Sequence, residues 1–157
     1  MGVLQSLNSE LTNHGVETRF ELTPNLPLVN GHGGQLREVV FNLVNNAVEA
    51  MTVTSNRSRV LRLRTELCGH DKIAVSVQDS GLGIDLQQIN SIFGAFVTTK
   101  ASGTGLGLAI SRMIIERHGG QLTASSDGEN GALFQFALPI EPNMHGEGTE
   151  TVIAATS

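Results

Sequence analysis

Residues 35–51 read Gln35-Leu36-Arg37-Glu38-Val39-Val40-Phe41-Asn42-Leu43-Val44-Asn45-Asn46-Ala47-Val48-Glu49-Ala50-Met51. Leu36, Val39, Val40, Leu43, Val44, Ala47, Val48 and Met51 recur at the spacing of one broad apolar helix face. The opposite face carries Glu38, Asn42, Asn45, Asn46 and Glu49. Asparagine inside a helix costs up to ~0.7 kcal/mol relative to alanine, so three of them cost ~2 kcal/mol. That is a sizeable share of a net stability of ~5–15 kcal/mol. These asparagines sit mid-helix and cap nothing. Asn42 and Asn46 are four apart and stack on one side. Neutral amide oxygens on a rigid helix suit a hard cation such as Mg²⁺ that phosphates already hold. Taken alone, the helix is equally well read as a solvated polar face.

Outward from this helix, the pattern changes from a helical period to alternation. Before it, Val3 to Asn13 has a short helical pattern that His14-Gly15 ends, and Val16 to Leu22 alternates as a half-exposed strand. Pro24 and Pro27 then break into a loop. After it, Arg59 to Leu67 and Lys72 to Asp79 read as two strands of a hairpin through Cys68-Gly69-His70-Asp71. Gly81 to Gly103 reads as mostly irregular, with one short helical turn near Leu86 to Phe93. Leu106 to His118 reads as a second helix closed by Gly119-Gly120. Gln121 to Ser126 and Ala132 to Leu138 are the last strands. This order predicts an α+β sandwich with helices on one face of a mostly antiparallel sheet, the other face partly solvated. Residues 1–140 are expected to form the domain, and 141–157 a polar, disordered tail.

Composition narrows the function classes. The chain has 157 residues, room for one ordinary core. Net charge is −5, which argues against a basic nucleic-acid footprint. No apolar run approaches the ~20 residues of a membrane span, so no membrane contact is expected of this chain. No charged segment leads into an apolar one as in a secretory signal. The one cysteine, Cys68, excludes an internal disulfide and a multi-cysteine zinc site. It is expected to be a small packed residue, in a chain suited to the reducing cytoplasm. Glycine is 18 of 157 residues, well above the usual ~7%. The glycines cluster, which asks what backbone task they perform.

Two clusters bear on chemistry. Asp79-Ser80-Gly81-Leu82-Gly83 closes a strand. Its carboxylate could accept a hydrogen bond from an exocyclic amine, and its glycines let backbone approach a flat ring. Alone, it is more simply a turn. Lys100-Ala101-Ser102-Gly103-Thr104-Gly105-Leu106-Gly107-Leu108 runs straight into a helix. Such a start offers free N–H groups and a positive dipole end to a phosphate. Alone, it is equally a flexible connector. It is not a Walker A loop, since no lysine follows the glycines. It is not a dinucleotide fingerprint, because Leu108 stands where the third glycine is needed. The H-R-D signature of eukaryotic-type kinases is missing from the sequence.

In this order the features are far more specific than any one of them. The sequence resembles the ATP-binding catalytic domain of bacterial sensor histidine kinases, within the family shared with gyrase, mismatch-repair and heat-shock chaperone ATPases. Asn42 to Met51 is similar to the family's N box, Asp79 to Gly83 to its first glycine box, Ile92 to Lys100 to its F box, and Gly103 to Leu108 to its second glycine box. His118-Gly119-Gly120 and the strand Phe134 to Pro139 resemble its ending. The resemblance covers Leu4 to Ile140 and is strongest to nitrogen-regulation and oxygen-sensing kinases.

The resemblance implies a two-layer α/β sandwich of the Bergerat type with a lid over ATP. It implies that Asn46 ligates Mg²⁺ with Asn42 beside it, and that Asp79 binds the adenine amino group in a pocket shaped by Gly81 and Gly83. Lys100 would sit in the lid near the phosphates, and Gly103, Thr104, Gly105, Leu106, Gly107 and Leu108 would cradle them. Asn42, Asn46 and Lys100 would be the catalytic set. Where hydrolytic relatives have a glutamate that activates water, this chain has Asn42, which fits phosphoryl transfer rather than hydrolysis. The chain departs from the family pattern at Gly94-Ala95 and His32, and at Leu133, where a water-binding threonine or serine is common. His14, His32, His70, His118 and His145 all lack the phosphoacceptor context. The chain is therefore expected to be the ATP-binding part of a longer, homodimeric sensor kinase. That kinase would phosphorylate a histidine on its own dimerisation domain and signal to a response regulator. A serine kinase acting on an anti-sigma-factor antagonist, or a degenerate docking module, are the alternatives.

Overall fold

The computed structural model describes residues 9, 11–13, 15–24, 31, 33–52, 58–81, 83–84, 87, 89, 91–92, 107–126 and 130–140. Along the chain run β1 (Glu17–Leu22), α1 (Gly33–Thr52), β2 (Val60–Cys68), β3 (Lys72–Asp79), α2 (Gly107–Arg117), β4 (Gln121–Ser126) and β5 (Ala132–Pro139). Ser9 and Leu11–Asn13 are also helical. The expected tail, 141–157, lies outside the described residues.

The strands form one sheet in the order β1-β2-β3-β5-β4. β2–β3, β3–β5 and β4–β5 are antiparallel. β1 and β2 are parallel, with Glu17 opposite Val60 and Leu22 opposite Thr65. Parallel neighbours need a long crossover, and α1 lies in the segment that joins them. The core fills the space between the helices and one sheet face. Leu36, Val39, Leu43 and Met51 of α1 and Ile115 of α2 are fully buried, together with Leu61, Ile73 and Phe136 of the sheet. On the other face Arg62, Arg64, Ser76, Gln78, Leu133 and Gln135 line a shallow polar groove. Its ion pairs, such as Arg62–Glu21 at 2.9 Å, are exposed and add little stability.

The helix ends are local constructions. Gly15 donates to the Thr12 carbonyl and Val16 to that of Leu11, with Gly15 at φ 68°. The same pair of hydrogen bonds closes α2: Gly119 donates to the Glu116 carbonyl and Gly120 to that of Ile115, with Gly119 at φ 78°. Glycine supplies the left-handed conformation that this cap requires. Both stops were legible as His14-Gly15 and Gly119-Gly120. Gln87, Ile89, Ser91 and Ile92, where a short helical turn is expected, lie in turns. Cys68 corrects an expectation. It ends β2 on the solvent side of the hairpin and is exposed rather than packed.

Gly131 has the tightest requirement in the sheet. Its φ is +105°, and a Cβ there would overlap the Asp79 carbonyl oxygen. Gly131→Ala is expected to destabilise the domain by at least ~2 kcal/mol, since it meets strain and a clash with backbone together. Gly34→Ala, where a Cβ meets nothing within 4 Å, is expected to hold or raise the unfolding midpoint. Urea titrations of both variants check the contrast; equal midpoints would refute it.

Candidate functional site

Three elements converge at one end of the sheet: the C-terminal half of α1, the end of β3 and the start of α2. α1 brings Asn42 and Asn46 to one side, both half-buried. Its apolar face locks against the sheet, which leaves this polar stripe a fixed orientation. The Asn46 amide nitrogen is buried. Asn42 donates through Nδ2 to Ser111 Oγ of α2 at 3.2 Å.

Asp79 ends β3 and is only 5% exposed. One carboxylate oxygen accepts from the Gly81 N–H at 2.8 Å, and the Ala132 N–H also bonds the group. Desolvation outweighs both bonds and raises its pKa to about 6. A carboxylate has about four lone-pair sites. Two are taken, so it retains capacity for another donor.

The corner after Asp79 is held on every side. Ser80 Oγ accepts from Val60 N–H at 2.9 Å and donates to the Ser58 carbonyl at 2.8 Å. Gly81 lies so close to α1 that a Cβ would sit 2.7 Å from the Ala50 oxygen. Ala50 is one turn beyond Asn46, so the Asp79 corner and the asparagine stripe are set against each other by backbone contact. Gly83 has φ 86°. Ile84 N–H then donates to Ser126 Oγ at 3.0 Å, and Ser126 donates to the Gly131 carbonyl at 2.7 Å. This short relay ties the chain leaving the corner to the β4–β5 end.

Gly107 opens α2, with nothing within 4 Å of where its Cβ would lie. Leu108 packs part-buried against the core. Lys100, Gly103, Thr104, Gly105 and Leu106 lie outside the described residues, as do His32 and Gly94-Ala95. The structure thus brings together Asn42, Asn46, Asp79 and Gly81, with Ser111 linking α2 to the first of them.

Two placements were not legible in the sequence. Leu133 does not stand beside Asp79. Gln78 pairs with Leu133, so Asp79 falls opposite Ala132, and Leu133 faces the outer groove. The correction follows from the period of two along a strand, which sends neighbours to opposite faces. The side chain beside Asp79 is therefore a methyl group without a hydroxyl. Ser111 is fully buried; its only sequence signal is a polar residue within the apolar stripe of α2.

Among the described residues no group of three or more His, Cys, Asp or Glu could hold a metal ion. A cation here would draw its charge balance from phosphates, with neutral amide oxygens as protein ligands. The asparagine stripe fits that demand.

The chain matches the family described as histidine kinase-, DNA gyrase B- and HSP90-like ATPase over residues 31–142. It is 38% identical over 138 residues to the sensor protein TdiS of Thauera aromatica, covering 87% of this chain and 25% of that protein. It is 42% identical over 124 residues to the sensor protein FixL of Bradyrhizobium diazoefficiens, covering 79% and 24%. It thus spans about a quarter of the length of these relatives. The catalytic domain of histidine kinase ThkA superposes with a TM-score of 0.75 at 33% identity, over 87% of each chain. ThkA in complex with response regulator protein TrrA aligns at 0.73 and 30% identity, over 91% of this chain and 40% of that one.

Proposed function

The chain belongs to the family of histidine kinase-, DNA gyrase B- and HSP90-like ATPases, as a sensor-histidine-kinase catalytic domain, and from that premise we propose how its residues deliver a phosphoryl group. The observation that carries the reading is the buried Asp79 carboxylate, whose turn packs directly on the helix bearing Asn42 and Asn46. An adenine acceptor and a phosphate-side amide stripe are thereby held in one rigid unit.

In this reading Asp79 accepts from the exocyclic amine of adenine, and Gly81 and Gly83 leave room for the ring. The N–H groups at the start of α2, Gly107 and Leu108 with the preceding glycines, face the phosphates. Asn46 supplies an amide oxygen to Mg²⁺, with Asn42 alongside. Bound Mg²⁺ would neutralise phosphate charge. Lys100 adds positive charge near the γ-phosphate. The bond between the γ-phosphorus and the bridging oxygen breaks, ADP leaves with the electron pair, and a P–N bond forms to an imidazole nitrogen. A neutral imidazole attacks through its lone pair, so the domain need not supply a strong base. Asn42 cannot take a proton from water, which keeps hydrolysis slow.

The acceptor histidine lies on a separate dimerisation domain of the same kinase, and a response regulator receives the phosphoryl group downstream. The pairing of ThkA with TrrA supports such a partner. A cytoplasmic setting suits the exposed Cys68 thiol. Among the described residues no helix is long and apolar enough to cross a membrane.

The test is ATP titration with and without Mg²⁺. Asn46→Ala is expected to remove most of the Mg²⁺ enhancement while slightly favouring α1, because alanine is the better helix former. A variant that keeps the full enhancement would strike Asn46 from the ligand set.

A further inference from the structure

We propose that Ser111 is a positioning residue that holds the Asn42 carboxamide in the orientation the phosphate site uses. The inference rests on the Mg-ATP reading above. Asn42 and Ser111 are 69 positions apart in sequence, yet Asn42 Nδ2 donates to Ser111 Oγ at 3.2 Å across the α1–α2 interface. Ser111 is 0% exposed. A hydroxyl in such an apolar interface is costly unless it is bonded, and alanine would fill the space without that demand. The Asn42 bond supplies the partner.

The chemistry of a carboxamide makes the bond consequential. Its two ends are opposite in character, one a donor pair and one an acceptor. With Nδ2 committed to Ser111, Oδ1 is the end left for the nucleotide side. The bond also removes rotamer freedom that Asn42 would otherwise lose on binding, which is preorganisation. Ser111 stands one turn inside α2, whose first residues, Gly107 and Leu108, follow the glycine-rich segment. One hydrogen bond therefore joins the asparagine stripe to the helix that faces the phosphates.

The experiment titrates the purified chain with Mg-ATP and, separately, with adenosine, and records thermal melting. The proteins are wild type, Ser111→Ala, Ser111→Thr, Asn42→Ala and the Ser111→Ala/Asn42→Ala double variant. Ser111→Ala is expected to weaken Mg-ATP binding by about 3- to 10-fold, the scale of one neutral hydrogen bond. Adenosine affinity, which depends on the Asp79 pocket, should not move. Ser111→Thr keeps the hydroxyl and should restore Mg-ATP affinity. In the Asn42→Ala background, Ser111→Ala should have no further effect, because its route of action is gone. The proposal is overturned if Ser111→Ala leaves Mg-ATP affinity unchanged. It is equally overturned if adenosine binding falls in parallel, or if the effect persists in full without the Asn42 amide. A wild-type chain that binds adenosine but gains nothing from Mg²⁺ and phosphates would instead sink the functional reading beneath it, and this proposal with it.

Discussion

Asp79→Ala is expected to weaken nucleotide binding by ~10- to 150-fold, the span of a hydrogen bond to a charged acceptor worth ~1.5–3 kcal/mol. The domain should stay folded, because the corner around Asp79 is also held by Ser80, Gly81 and Gly131. Burial raises the Asp79 pKa from 3.8 to about 6. The folded state thus holds this proton more tightly than the unfolded chain does. Its contribution to stability is fully present below about pH 4 and is lost as pH rises through about 6. Above that, the domain keeps a buried charge at a cost of order 3 kcal/mol, from roughly 1.4 kcal/mol per pKa unit. In the proposed reading the same charge is the acceptor for adenine. Adenosine affinity should therefore fall as pH drops from 7 to 5 and the carboxylate takes up its proton. Adenosine is the better probe, since ATP phosphates titrate in this range. Calorimetry on wild type and Asp79→Ala separates the effects: the variant should be weak and flat with pH. Unchanged affinity in the variant would remove adenine recognition from this residue.

The chain alone is expected to bind Mg-ATP yet fail to label itself stably. In the proposed reading, binding uses the α1 stripe, the Asp79 corner and the start of α2. Transfer needs a nucleophile held in line at ~3–3.5 Å from the γ-phosphorus, and such positioning accounts for ~7–11 kcal/mol of the barrier in well-oriented reactions. His118 shows why the chain's own histidines are poor candidates. Its Nδ1 lies 2.7 Å from the Ile114 carbonyl oxygen, and its ring packs against Gly31. It is a helix-end residue committed to structure. Adding a separate helical-hairpin domain with a cognate histidine should restore transfer by several orders of magnitude, limited by how often the domains meet. Radiolabelled Mg-ATP, the chain and that acceptor are mixed, and label on each is followed. Efficient self-labelling on a histidine, or rapid hydrolysis without acceptor, would favour an autonomous kinase or ATPase instead.

Local patterns in the sequence determined most of the architecture. The apolar stripe Leu36 to Met51 specified α1, alternation specified Lys72–Asp79 and Gln121–Ser126 to the residue, and glycines marked the ends of the first helical segment and of α2. These features are legible because helix period, strand period and capping each depend on a few neighbouring residues. The order of the asparagine stripe, the Asp79 turn and the glycine-rich helix start likewise identified the family from sequence. Tertiary structure alone decided the rest. The parallel pairing of β1 with β2 depends on how α1 crosses over, and strand patterning is silent on direction. Ala132 rather than Leu133 stands beside Asp79 because the β3–β5 register sets which face each residue takes. Cys68 is exposed because it shares the strand phase of Arg62, Arg64 and Glu66, on the sheet face opposite the helices. Ser111 meets Asn42 only because two helices pack on one sheet face, and a contact across 69 positions leaves no local periodicity to read.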